Sequence, residues 1–118
     1  MIREHSADAA AVIGIDFGGT KIEAALAARD GAVLRRERLE MLADRGPAQA
    51  LERTAEAVGR LEQVAHAEYG LEVRGYGAVA PGVIQPDRIL LTPNLPGWQD
   101  LALARELARV LGLERAPA

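Results

Sequence analysis

Between Ala11 and Leu39 three short segments of strand-like pattern are separated only by Asp16-Phe17-Gly18-Gly19-Thr20 and Asp30-Gly31. Reversals this tight force consecutive strands to run antiparallel, since a parallel neighbour needs a crossover of a dozen residues or more. The first segment, Ala11 to Ile15, reads AVIGI and suits a strand buried on both faces. The second runs from Lys21 to Ala28 and the third from Ala32 to Leu39. Asp30-Gly31 between them is the strongest short hairpin signal in the chain.

After Asp44-Arg45-Gly46-Pro47 the apolar period changes from two to about 3.6. Leu51, Ala55, Val58, Leu61 and Ala65 form a stripe, with Glu52, Arg53, Glu56, Arg60 and Glu62 largely off it. This predicts a helix over 47–69, with Pro47 in its first turn, Gly70 at its C-cap and Gly59 as an internal cost. A fourth strand is expected over 73–80, ending at Pro81-Gly82, then a small hairpin over 83–94. A last helix starts near the N-cap Asp100, carries Leu101, Ala104, Leu107 and Leu111, and stops at Gly112. The expected fold is α/β: a mixed sheet with three antiparallel strands first and flanking helices. Residues 1–10 read as a polar leader, 11–112 as one lobe and 113–118 as a tail.

At 118 residues the chain affords one small domain. A net charge of −3 provides no basic field for nucleic acid or anionic lipid. Arg35, Arg36 and Arg38 are broken by Glu37 and lie in a strand, where alternation splits them; the group reads as a solvated strand face. No apolar run suits a membrane span or a signal peptide, and the absence of cysteine fits a cytoplasmic protein. Thirteen of the 14 basic residues are arginine, and the single lysine is Lys21.

Asp16-Phe17-Gly18-Gly19-Thr20-Lys21 is the constellation with chemistry in it. A turn without Cβ atoms lets backbone N–H groups approach an anion. Thr20 and the Lys21 ammonium add donors for phosphate oxygens. Asp16 repels an anion unless a hard cation such as Mg²⁺ lies between them. The residue types serve equally well as a plain hairpin whose Asp16 and Thr20 bond the turn backbone. Neither GxxxxGK[ST] nor GxGxxG is present. His5 and His66 have no partners at metal-ligand spacing.

The stretch from Gly14 to Glu23 resembles the first phosphate-binding motif of the ROK family of sugar kinases and sugar-responsive repressors, within the actin-like ATPase superfamily. Gly75-Tyr76-Gly77-Ala78-Val79-Ala80-Pro81-Gly82 is similar to that family's glycine-rich strand and Pro-Gly turn, and Thr92-Pro93-Asn94-Leu95-Pro96-Gly97-Trp98 to its loop before the second helix. The resemblance implies an actin-like (ribonuclease H-like) N-terminal lobe. It implies that Asp16 helps hold Mg²⁺ and that Gly18, Gly19, Thr20 and Lys21 wrap the phosphates of ATP. Pro81, Gly82 and Asn94 would then lie on the sugar side, with Trp98 packing its loop; Asn94 reads equally as a turn residue between Pro93 and Pro96, and Glu23 matches the pattern without a role.

The family's catalytic aspartate lies in an Asn-Asp motif after the second helix, and this sequence has none: its one asparagine, Asn94, precedes Leu95. The zinc site and second phosphate loop of the family are likewise absent from the sequence. The implied function is therefore the phosphate-binding lobe of an ATP-dependent hexose kinase, glucokinase-like and inactive alone, needing a C-terminal lobe or a homo-oligomer as partner. The alternatives are a fragment of a sugar-responsive regulator, or a non-catalytic subunit that assembles with a separate C-terminal lobe. Only about ten residues precede the first strand, too few for a helix-turn-helix.

Overall fold

The computed structural model describes residues 9–79 and 103–113. Along the chain these form β1 (Ala10–Phe17), β2 (Lys21–Ala28), β3 (Val33–Glu40), α1 (Pro47–Tyr69), β4 (Glu72–Val79) and α2 (Leu103–Leu111), with a 3-10 turn over Ala43–Arg45. The strands make one sheet in the order β3-β2-β1-β4. β1 pairs antiparallel with β2, β2 antiparallel with β3, and β1 parallel with β4. The expected mixed sheet is thus present. The hairpin over 83–94 and the helix start at Asp100 lie outside the described residues.

Strand alternation decides where the core goes. Ala11, Ile13, Ile15 and Phe17 of β1 are buried, as are Ile22, Ala24 and Leu26 of β2. All of them point to one face. The same face receives Ala50, Leu51, Val58, Leu61 and Ala65 of α1 and Leu107 of α2. Burying a side chain such as Ile13 or Leu61 stabilises the fold by about 1.5–3 kcal/mol.

The opposite face carries no helix among the described residues, which corrects the expectation that β1 is buried on both faces. Val12 is 46% exposed there, and Gly14 and Asp16 are exposed as well. AVIGI reads as uniformly apolar because its two open-face positions are Val12 and Gly14, neither of which carries a polar side chain. The strand also runs on through Asp16 and Phe17 rather than ending at Ile15, because Phe17 is buried and pairs with Ile22. It begins at Ala10, inside the stretch read as a leader.

The α1 boundaries agree with the pattern. Its buried face is turned towards Thr54, whose hydroxyl donates to the Ala50 carbonyl at 2.7 Å, and Ala55 is only partly buried. Gly70 closes the helix at φ 63°, and Leu71 N–H returns to the Ala65 carbonyl. Along β3 the arginines separate as alternation requires. Arg35 pairs with Glu68 on the helix side, whereas Arg36 and Arg38 both pair with Glu23 on the open face. On the helix side Arg60 also binds Glu37, and the Tyr76 hydroxyl donates to Glu62. Burial, helped by that carboxylate, pushes the Tyr76 phenol well above its ordinary range.

Gly59 is the weak point of α1. A Cβ built there meets nothing within 4 Å, so Gly59→Ala costs no packing. It should raise stability by about 0.5–1 kcal/mol. An upward shift of several degrees in the thermal midpoint by circular dichroism is expected, and a lower midpoint would contradict the helix packing described.

Candidate functional site

The β1–β2 reversal is fixed by one hydrogen bond and one steric requirement. Gly18 N–H donates to the Lys21 carbonyl at 2.8 Å. A Cβ at Gly18 would lie 2.9 Å from that same oxygen, closer than real Cβ contacts come. Gly19 is different: a Cβ there meets nothing within 4 Å. The chain does not need glycine at this position for its own packing. The space belongs to a cavity of about 300 Å³ lined by Asp16, Gly18, Gly19, Thr20, Lys21, Glu23 and Arg38.

The turn is tied from behind. The Thr20 carbonyl accepts from Met41 N–H at 2.8 Å. Arg53 of α1 donates to the Glu40 and Met41 carbonyls at 2.7 and 2.9 Å. Helix, β3 end and turn are thus one hydrogen-bonded unit. The N–H groups of Gly19 and Thr20 and the Thr20 hydroxyl have no partner among the described residues, and both residues line the cavity.

The hairpin register sets side chains in rows across the open face. Asp16 lies opposite Glu23, and Glu23 opposite Arg38. Like charges facing each other across a strand pair are unfavourable. Here Glu23 is neutralised on its far side, by Arg38 at 2.7 Å and Arg36 at 3.1 Å. Arg38's hydrogen bond holds the Glu23 carboxyl below its usual range, against a partial desolvation that works the other way. The Asp16 carboxylate has no hydrogen-bond or ion-pair partner among the described residues. Lys21 is engaged: its ammonium sits 2.8 Å from Glu40, whose carboxyl it lowers, in a pair exposed enough to exchange for another anion.

Alongside, the next row places Gly14 between Gly77 of β4 and Ala25 of β2. With no side chain larger than a methyl at these three positions, the sheet dips into a trough of about 510 Å³ bordered by Asp16, Glu23 and Val79. Val79 is 57% exposed.

The structure therefore brings Asp16, Gly18, Gly19, Thr20 and Lys21 together around one cavity, as the sequence pattern requires. Pro81, Gly82 and Asn94 lie outside the described residues, as do His5 and Trp98. His66 is exposed, and no group of three or more metal-ligating side chains occurs among the described residues. Glu23 carries no role from the sequence and Arg38 reads there as part of a solvated strand face, yet both line the cavity. Counting back from the Gly18–Lys21 turn would have placed residue 23 beside residue 16, but the partner of residue 23 on β3 depends on a register with an irregularity at Leu26/Ala27.

A protein-family model described as the ROK family matches residues 12–116. The glucokinase of Thermotoga maritima is 29% identical over 103 residues, which is 86% of this chain and 31% of the relative. Among solved structures, the ROK hexokinase from Thermus thermophilus is similar with a TM-score of 0.72 and 30% identity, over 87% of this chain and 33% of that one. A ROK family glucokinase from Streptomyces griseus, solved in complex with glucose and AMPPNP, gives a TM-score of 0.62 and 28% identity over 91% and 32%. The chain thus spans about a third of the length of these relatives.

Two outcomes follow from the geometry. Gly18→Ala should destabilise by about 1–3 kcal/mol through the forced contact with the Lys21 carbonyl, whereas Gly19→Ala should leave the denaturation midpoint in place. Equal effects of the two substitutions would refute the turn geometry. Because the folded Glu23 carboxyl titrates below its ordinary value of 4.5, its contribution is present above that value and lost as pH falls through the lower, folded one. The thermal midpoint should drop below about pH 4.5, and less steeply in Glu23→Gln.

Proposed function

The chain belongs to the ROK family, and on that premise we propose that it is the phosphate-binding lobe of an ATP-dependent hexose kinase. The observation that carries the reading is the turn itself. Gly19 and Thr20, whose donors have no partner among the described residues, line a space that glycine leaves open at residue 19, beside the Asp16 carboxylate, which has none among them either. Such donors cost no reorganisation when an anion arrives, because the turn is already held by Met41 and Arg53.

The charge balance fits a metal-complexed phosphate chain better than a bare one. The cavity lining holds two cations, Lys21 and Arg38, and two carboxylates, Asp16 and Glu23, so it carries little net charge. Mg²⁺ suits this donor set, since it takes one or two carboxylates together with waters and phosphate oxygens. Asp16 would hold the cation, and Gly18, Gly19, Thr20 and Lys21 would enclose the phosphates. When bound, the cation supplies charge neutralisation between phosphate oxygens. Lys21 serves by exchanging Glu40 for phosphate.

On the sugar side the assignment rests on motif resemblance: Pro81, Gly82 and Asn94 would line the hexose. A glucose-type substrate is supported by the names of the Thermotoga and Streptomyces relatives, both glucokinases. Phosphoryl transfer depends on groups held on both sides of the reacting phosphate. With no Asn-Asp pair in these 118 residues, the base that would take the sugar's proton has to come from elsewhere.

Calorimetric titration of the chain with Mg²⁺–ATP tests the reading. Weak binding is expected, lost in Asp16→Ala and reduced in Gly19→Ala, with no ATP turnover in the presence of glucose. Binding that is indifferent to both substitutions would exclude the turn as the phosphate site, and turnover above background would show that a base is present after all.

A further inference from the structure

We propose that Arg38 is an additional phosphate-binding residue, a guanidinium on the third strand held at the cavity rim by Glu23. The proposal rests on the reading of the 18–21 turn as a phosphate cradle and adds a residue to it from outside the turn motif.

The register carries Arg38 to this position. Asp16, Glu23 and Arg38 occupy one row across β1, β2 and β3, and among the described residues Arg38 alone brings a β3 side chain to the 300 Å³ cavity. Its attachment leaves the useful end free. The Nε donates to Glu23 Oε2 at 2.7 Å, while the two terminal nitrogens have no partner among the described residues. The side chain is 74% exposed, so a ligand in the cavity can reach it. A guanidinium anchored through Nε presents its terminal nitrogens with less freedom to lose on binding.

Between Asp16 and Arg38 sits Glu23, and its second partner is Arg36. It donates to the other Glu23 oxygen, Oε1, at 3.1 Å, so one carboxylate is held by two guanidinium groups and the trio retains a positive charge. Arg36 itself does not line the cavity. The two arginines therefore have the same partner and the same charge but different access, and that difference is the test. An Arg on the β3 side would grip phosphate oxygens opposite the backbone donors of the turn, with the forked geometry that such oxygens favour.

The experiment is calorimetric titration of the 118-residue chain with Mg²⁺–tripolyphosphate, which has no nucleoside to add contacts, at low ionic strength. Arg38→Gln should weaken binding about tenfold, as expected for loss of charge-assisted hydrogen bonds, while Arg36→Gln stays within about twofold of the unsubstituted chain. Equal weakening by both would mean general electrostatics and overturn the proposal, as would no weakening by Arg38→Gln. Should Arg38→Gln fail to fold by circular dichroism, Arg38→Lys decides: it keeps the charge but not the anchored fork, and unchanged affinity would overturn the proposal. If the unsubstituted chain does not bind, the cradle reading falls together with Arg38. If Thr20→Val abolishes binding and Arg38→Gln does not affect it, the cradle stands and only the proposal falls.

Discussion

Alternation along β1 is the constraint on which the remainder depends. Phe17 can be buried only if Asp16 faces the other way, and Ile13 and Ile15 likewise commit Gly14 to the open side. The core and the chemistry are thus written on the same eight residues with a phase difference of one. A slip of one residue would put Asp16 into the apolar layer beneath α1, where an unpaired carboxylate is strongly disfavoured. The apolar side of the strand therefore holds the acidic side in register, and the cavity inherits its composition from the packing of the core.

The turn next to it gains its rigidity from a different source. Only one hydrogen bond, from Gly18 to Lys21, closes it internally. The rest comes from Met41, which bonds Thr20, and from Arg53, which grips the last two carbonyls of that stretch. Arg53 read as a solvent-facing residue of an amphipathic helix, yet it is half-buried and acts as a brace between helix and sheet. Long basic side chains often serve two masters in this way, with the stem packed and the head bonded to backbone.

Much of this was legible before the structure. The two glycine-containing reversals, the helix at 47–69 and the grouping around the Gly-Gly turn all follow from local chemistry that a short window of sequence contains. What escaped was non-local. Whether a strand such as AVIGI is covered on one side or two depends on which other elements arrive, and the sequence of the strand does not encode that. Glu23 lacked a role because its meaning lies in a pair of neighbours, Asp16 across one strand and Arg38 across another. Arg38 was hidden for the same reason, among arginines that read as a solvated surface.

The glycine row at Gly14 and Gly77 has a consequence for electrostatics. With water in the trough, the charges of Asp16, Glu23, Arg36 and Arg38 are felt through a medium of high dielectric constant, and attractions between them are weak. Two unit charges 4 Å apart interact by about 1 kcal/mol in bulk water but by about 4 kcal/mol at an effective dielectric constant near 20. Because Gly14, Gly77 and Ala25 offer nothing larger than a methyl to fill the trough, whatever apolar surface settles there displaces the water directly. The strength of the proposed phosphate site is then adjustable from the outside, by the degree to which that surface keeps solvent away, while every residue of the turn stays where it is.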